Sequence, residues 1–364
     1  MPKFCVIGGS RYVGKLLVKR LQAADHQVTV INRGSTPAPA GTEHLTVDRN
    51  DEAALSAALG SATFDVVIDQ ICYTPVQAAI AARAFHGRTR RYVMTSTIEV
   101  YDPATAALDA GVTLIDTADS YHWYAGEAGH NELLVARALA RYGRDTSHVL
   151  VATKGGRGRP GDGSWTVNAT PAHLKRAAEA SRKRLGVEAI GLYQLHKPDP
   201  SVPWAESVGA LRELLDAGTI PAAGISNVTT AQIRQAHAIL GDALVSVQNQ
   251  YSPAVRDSEP ELRLSTQLGL AFLPWSPLGG ISRSSLDGPS GPTSATIAFH
   301  RIAAEHGASP QQITLAWLLT RSPTVIPVPG ASRPASIQSS ARAVEIELSE
   351  EEQTQLEDAL PLSG

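Results

Sequence analysis

Four residues of the types that move protons stand at comparable places in the chain. Asp116 ends the run 112–115, Lys154 follows 149–153 and His196 follows 190–195, each run mostly apolar; Tyr121 comes five residues after Asp116. A carboxylate, an ammonium, an imidazole and a phenol are the groups that give, take and steer protons in general acid–base chemistry. Short apolar runs of this kind read as buried strands, and helical stretches separate them. Asp116, Lys154 and His196 therefore fall just past strand ends, where a parallel α/β barrel presents its catalytic groups.

From Asp102-Pro103 onward the βα unit repeats. Strands are expected near 112–116, 149–153, 190–195, 221–225, 244–248, 270–274 and 324–328. Helices are expected at about 131–142, 171–186, 204–217, 229–240, 259–268 and 296–320, with closing helices near 334–343 and 349–359. Regular alternation argues a parallel sheet with right-handed crossovers. Seven strands fall short of the eight that close such a barrel.

The first hundred or so residues read differently. A strand at 3–8 runs into the glycine turn Gly8-Gly9-Ser10-Arg11-Tyr12-Val13-Gly14 and then a helix. Further strands follow at 28–31, 45–47, 64–69 and 91–96, with a helix at about 75–86. Strand, glycine turn, helix and strand open a doubly wound sheet, in which the helix N-terminus attracts phosphate. The second strand ends at Asn32-Arg33 and not at an acidic residue, which favours a 2′-phosphate. The expected organisation is a partial Rossmann-like dinucleotide-binding segment at 1–102 and a barrel at 103–364. In the preferred arrangement 91–97 supplies the barrel's first strand, leaving four strands outside. The alternative is an open seven-stranded barrel beside a complete five-stranded half-sheet.

A chain of 364 residues, 43% hydrophobic and 18% charged, can bury a sizeable core. A net charge of -3 makes no electrostatic case for nucleic acid or an anionic membrane. Cys5 and Cys72 are too few for a disulfide framework and lack metal-site spacing, so both are expected as buried small hydrophobes in a reducing cytoplasm. No apolar run approaches the ~20 residues that span a bilayer, and the N-terminus lacks the pattern of a secretory signal. Composition leaves the oligomeric state open.

Residues 1–102 resemble the N-terminal half of the extended short-chain dehydrogenase/reductase family, in its NAD-dependent epimerase-like branch. The likeness rests on the glycine turn, on Asp48-Arg49-Asn50-Asp51 and on Thr95-Ser96-Thr97-Ile98-Glu99-Val100-Tyr101. Arg11 replaces the middle glycine of the fingerprint, and the downstream Tyr-x-x-x-Lys pair and substrate half do not follow. Residues 104–360 resemble the aldo-keto reductase family. Matching motifs run in order: Gly111–Tyr121, Ala152-Thr153-Lys154, Leu195-His196-Lys197-Pro198, Gly224-Ile225-Ser226-Asn227, Gln248-Asn249-Gln250-Tyr251-Ser252, Trp275-Ser276-Pro277-Leu278-Gly279 and Ile326–Arg333. That family's β-hairpin plug, first strand and first helix are not recognisable before Asp102.

The second resemblance implies a (β/α)8 barrel and NADPH-dependent reduction of a small aldehyde or ketone. Tyr121 would be the general acid. A phenol with a pKa of ~10 is too weak an acid near neutrality, and Lys154, held by Asp116, would strengthen it. His196 would orient the carbonyl oxygen. Ser226, Asn227 and Gln248 would hold the nicotinamide carboxamide, and Tyr251 would stack on its ring. Ser276 and Leu278 would line the pyrophosphate path. Gly330, Ser332 and Arg333 would take the adenosine end, with Arg333 on the 2′-phosphate and Gln338 nearby. Trp123 and Tyr124 would wall an apolar substrate pocket, and 279–295 would form a lid. Two other outcomes follow from the damaged barrel opening: a catalytically impaired scaffold, or an NADP-binding sensor acting through Gly8 and Gly14.

Overall fold

The computed structural model describes residues 1–10, 12–71, 75–94, 102–122, 126–162, 164–279, 281, 294–331 and 333–360. The chain divides into two compact units, Met1–Ile98 and Glu99–Gly364.

The first unit is a five-stranded parallel sheet with helices. Its elements are β1 (Lys3–Ile7), α1 (Tyr12–Ala23), β2 (Gln27–Asn32), β3 (Glu43–Thr46), α2 (Glu52–Leu59), β4 (Phe64–Asp69), α3 (Pro75–Phe85) and β5 (Thr89–Met94). Strand order is β3-β2-β1-β4-β5. Alternation along β1 and β2 feeds two cores: Val6, Val28 and Val30 pack with Val18 of α1, while Cys5, Ile7 and Ile31 pack with Leu55, Leu59 and Phe85. The glycine turn is sterically obligatory at Gly14, where a Cβ would sit 2.3 Å from the Gly8 carbonyl oxygen. Cys5 is fully buried, and burial pushes its thiol pKa far up; Cys72 lies outside the described residues.

One expectation is corrected here. The strand expected at 91–97 as the first of the barrel belongs, over its described residues 91–94, to the first sheet: β5 pairs in parallel with β4, Val66 against Arg91 and Ile68 against Val93. Side chains fix this choice. Tyr92 packs on Phe85 with ring centroids 5.7 Å apart, and its hydroxyl donates to Asp69 at 2.7 Å. Residues 95–97 lie outside the described residues.

The second unit begins with α4 (Asp102–Asp109), β6 (Leu114–Asp116), α5 (His130–Arg141), β7 (Leu150–Gly155), a hairpin of β8 (Arg157–Gly158) and β9 (Thr166–Val167), and α6 (Pro171–Leu185). It continues with β10 (Leu192–Leu195), α7 (Trp204–Asp216), β11 (Ala223–Ser226), α8 (Thr230–Leu240), β12 (Leu244–Gln248), α9 (Glu259–Gln267) and β13 (Ala271–Phe272). Four helices close the chain: α10 (Ser294–Glu305), α11 (Pro310–Thr320), α12 (Pro334–Ala341) and α13 (Glu350–Ala359). The strands form a parallel sheet in the order β13-β12-β11-β10-β7-β6, and Val325 adds a seventh position through a parallel bridge to Phe272. The architecture is thus the expected α/β barrel type, with six strands and one bridge among the described residues. Among these residues no strand pairs with the outer edge of β6. The helix layer does cross that gap, because α4 packs against both α5 and α12.

The single helix expected at 296–320 is two. Gly307, at φ 60°, ends the first, and Ser309 with Gln312 forms a capping box ahead of Pro310 that starts the second. The β8–β9 hairpin was not anticipated either. No helix among the described residues is long and apolar enough to cross a membrane.

Candidate active site

The short strand β6 ends at Asp116, and both of its carboxylate oxygens are taken up. Oδ2 accepts from Lys154 Nζ at 2.5 Å. Oδ1 accepts from Gln194 Nε2 at 3.2 Å and Gln248 Nε2 at 3.0 Å. Gln194 reaches across the barrel interior because position 224 is glycine. A Cβ there would lie 2.8 Å from Gln194 Cγ and 2.3 Å from Ser246 Oγ. Ser246 in turn donates to Gln194 Oε1 at 3.2 Å, which orients the amide toward Asp116.

Lys154 is fully buried on β7. An ammonium has three donors, and all three are used: Asp116 Oδ2, the Thr117 carbonyl at 2.9 Å and the Tyr121 hydroxyl at 3.2 Å. Burial alone would push its pKa down, but Asp116 and Tyr121 outweigh burial and hold it above the ordinary value. Lys154 therefore carries its charge against the phenol oxygen.

His196 follows β10 and meets Tyr121 edge to face, with ring centroids 5.8 Å apart. Burial, then the charges of Lys154 and Arg157, force its pKa well below the usual imidazole value. The ring is neutral near pH 7. Its Nδ1 lies 3.4 Å from Ser120 Oγ, which leaves Nε2 for a ligand. The structure thus brings Asp116, Tyr121, Lys154 and His196 into one cluster at the carboxyl ends of parallel strands.

Among the residues proposed from sequence for a cofactor, Ser226 and Gln248 end β11 and β12 and Asn227 follows at once. The Ser226 hydroxyl donates to the Gln248 carbonyl at 2.7 Å, and Asn227, at φ 59°, donates to the His196 carbonyl at 2.9 Å. Ser276, at φ 48°, and Leu278 follow β13 and are half-buried. Gly330, Arg333 and Gln338 are exposed, and Arg333 caps α12 through its backbone conformation. Among the described residues no carboxylate pairs with Arg333. Ser332, Trp123 and Tyr124, and nearly all of the 279–295 segment, lie outside the described residues.

Tyr251 is a correction. It cannot stack on a cofactor ring, because it is fully buried between the sheet and the helices. Its ring stacks on Trp317 of α11 at 6.1 Å and 4°. Its hydroxyl donates to the buried Glu259, and burial with that bond pushes its pKa up to about 12. It turns away from the site because β12 has ended at Gln248, and Tyr251 closes the outer core.

Three residues that sequence reasoning passed over belong to this region. Gln194 was signalled by being a lone amide inside a buried strand. Trp275 is half-buried, and its Nε1 and the neighbouring Ser276 Oγ are buried atoms with no hydrogen-bond partner. Arg157, on the unexpected hairpin, acts electrostatically on both Tyr121 and His196.

The chain is similar to known proteins. Over 251 residues the chain is 33% identical to pyridoxine 4-dehydrogenase of Escherichia coli, covering 67% of this chain and 81% of that one. It is 30% identical over 300 residues to the aldo-keto reductase str7 of Strobilurus tenacellus, covering 76% and 83%. A solved aldo/keto reductase from Klebsiella pneumoniae, in complex with NADP and acetate, superposes with a TM-score of 0.59 at 26% identity, covering 73% and 87%. Residues 4–122 match the NAD dependent epimerase/dehydratase family. Residues 83–361 match the aldo/keto reductase family, and with four proton-handling groups gathered at the strand ends the chain belongs to that family of oxidoreductases.

Proposed function

We propose that the chain reduces an aldehyde or ketone to an alcohol at the expense of NADPH, with Tyr121 as general acid. One observation carries the reading: a single buried ammonium, Lys154, bonds both the Asp116 carboxylate and the Tyr121 phenol.

The bound nicotinamide would supply a hydride to the carbonyl carbon. Negative charge then builds on the carbonyl oxygen and must be met by a donor at that moment. The Tyr121 hydroxyl gives its proton to that oxygen. Lys154, adjacent and charged, stabilises the phenolate left behind. Asp116 keeps Lys154 in register, and Gln194 and Gln248 keep Asp116. The neutral His196 orients the carbonyl oxygen through Nε2 without competing as a proton donor.

The residues fit a dinucleotide. Unpartnered buried polar atoms at Trp275 and Ser276 are the mark of a site whose ligand completes the bonding. Ser226, Asn227 and Gln248 supply hydroxyl and amide groups for a carboxamide. Trp275, the half-buried aromatic after β13, takes the stacking role that Tyr251 cannot. Arg333 at the start of α12 would hold the 2′-phosphate, helped by the helix N-terminus. The NADP in the Klebsiella pneumoniae relative supports this choice of cofactor.

The test is a screen of NADPH oxidation across aldehydes and ketones, followed by Tyr121→Phe. Loss of roughly 10²-fold or more in kcat is expected from removing a general acid, and full activity in the variant would refute the assignment. The glycine turn of the first unit supports a second reading, a separate dinucleotide site there. Titrating NADPH fluorescence against Arg333→Ala and Gly14→Val distinguishes them: the barrel site weakens with the former, the sensor site with the latter.

A further inference from the structure

Beside Tyr121 lies a cavity of about 370 Å³ whose lining includes Asp119, Ser120, His122, Arg157, Arg159 and His173. Two of these residues flank Tyr121 in sequence, and Ser120 touches His196. The cavity wall on the hairpin side is cationic. The guanidinium carbons of Arg157 and Arg159 lie 4.1 and 4.8 Å from the centre of the Trp165 ring. Both planar cations thus share one aromatic platform.

Their other partners differ. Arg159 is anchored by a bond from Nη1 to the His122 carbonyl at 3.1 Å. The Nε of each guanidinium is buried without a hydrogen-bond partner, but among the described residues Arg157 has neither such an anchor nor a paired carboxylate. Partial burial, and after it the like charge of Arg159, disfavour its charged form and outweigh the opposing pull of Tyr121. A half-buried guanidinium beside a second one, with no paired carboxylate among the described residues, is an arrangement that costs free energy unless an anion completes it. Arg157 is also the lining residue whose charge reaches Tyr121 and His196.

We infer that Arg157 is a specificity residue for an anionic group on the substrate, so that the preferred substrates are carbonyl compounds bearing a carboxylate or phosphate. This rests on the reductase reading. Arg157 would hold the anion by charge-assisted hydrogen bonds, while the carbonyl lies toward Tyr121 and His196. Trp165 keeps the guanidinium plane turned to the cavity, and the fork geometry suits a two-oxygen anion better than an ammonium would.

The experiment compares kcat/KM for matched pairs, succinic semialdehyde against butanal and dihydroxyacetone phosphate against dihydroxyacetone. The charged member of at least one pair should be favoured roughly 10- to 100-fold, the span of a charge-assisted bond. The pair with the larger ratio identifies the anion. Arg157→Leu should collapse that ratio toward one, and Arg157→Lys should restore part of it. Turnover of neutral and charged substrates without preference, or a ratio that survives Arg157→Leu, overturns the inference and leaves the reductase intact. A second readout does not need turnover. Succinate or inorganic phosphate should change the Trp165 fluorescence of the native chain and not of Arg157→Leu. If no carbonyl is reduced but that signal is present, the reductase reading fails and the anion site stands; absence of the signal with both anions counts against the site.

Discussion

Replacing Lys154 by methionine removes the charge on which the site turns and keeps most of the side chain's volume. Lys154 is fully buried, and Asp116 is 11% exposed. Breaking a buried pair by deleting one partner costs roughly 3–5 kcal/mol, because the remaining charge is left uncompensated. Asp116 keeps two amide donors, Gln194 and Gln248, so the lower end, about 3 kcal/mol, is expected. For a chain of 364 residues that corresponds to a fall in Tm of roughly 4 °C, and the fold survives. Activity should fall much further. Without the adjacent ammonium the phenolate left by proton transfer is unsupported, and general acid catalysis, worth roughly 10²–10⁴-fold, is lost. Steady-state NADPH oxidation should therefore show kcat reduced by that factor with KM for NADPH little changed. A folded Lys154→Met variant retaining a tenth or more of native kcat would refute the mechanism.

Asp119 gives a pH prediction. Burial, with Glu132 nearby, raises its pKa from 3.8 to about 7, and its Oδ1 is buried without a hydrogen-bond partner although the residue as a whole reaches solvent. The folded state holds the proton more tightly than the unfolded one, so this contribution is full at low pH and is lost as pH rises through 7. Between about pH 5 and pH 8 the stability of the native chain relative to Asp119→Asn should fall by roughly 2–3 kcal/mol, measured by urea unfolding; a difference independent of pH would show that Asp119 is not buried as described. Tyr251→Phe should leave KM for NADPH unchanged and cost about 1–2 kcal/mol through the lost bond to Glu259, whereas a large KM effect would return Tyr251 to the cofactor site. Arg333→Ala should raise KM for NADPH roughly 10-fold, a modest effect for an exposed charge-assisted contact, and leave KM for NADH alone; equal effects on both would place the 2′-phosphate elsewhere.

The linear order of residues already determined a good deal. Apolar runs bounded by Gly, Pro and capping residues mark strands and helices by local periodicity alone, which is why the alternation from Leu114 onward was legible. Parallel strands present their carboxyl ends at one face, so Asp116, Lys154 and His196 could be assigned to a common rim without coordinates. Local pattern carries less about which strand meets which. The run 91–97 reads as a strand in either unit, and only the packing of Tyr92 on Phe85 and its bond to Asp69 assign its described part to the first sheet. The facing of a single side chain is equally nonlocal. Tyr251 lies in a motif beside cofactor residues, yet it points into the outer core because Trp317, far along the chain, stacks on its ring while Glu259, eight residues on, takes its hydroxyl. Arg157 was silent in sequence for the same reason, and Gln194 showed only as a lone amide in a buried run. An arginine in a short hairpin or a glutamine in a strand acquires meaning only when folding sets it against Trp165 and Tyr121, or across a glycine from Asp116.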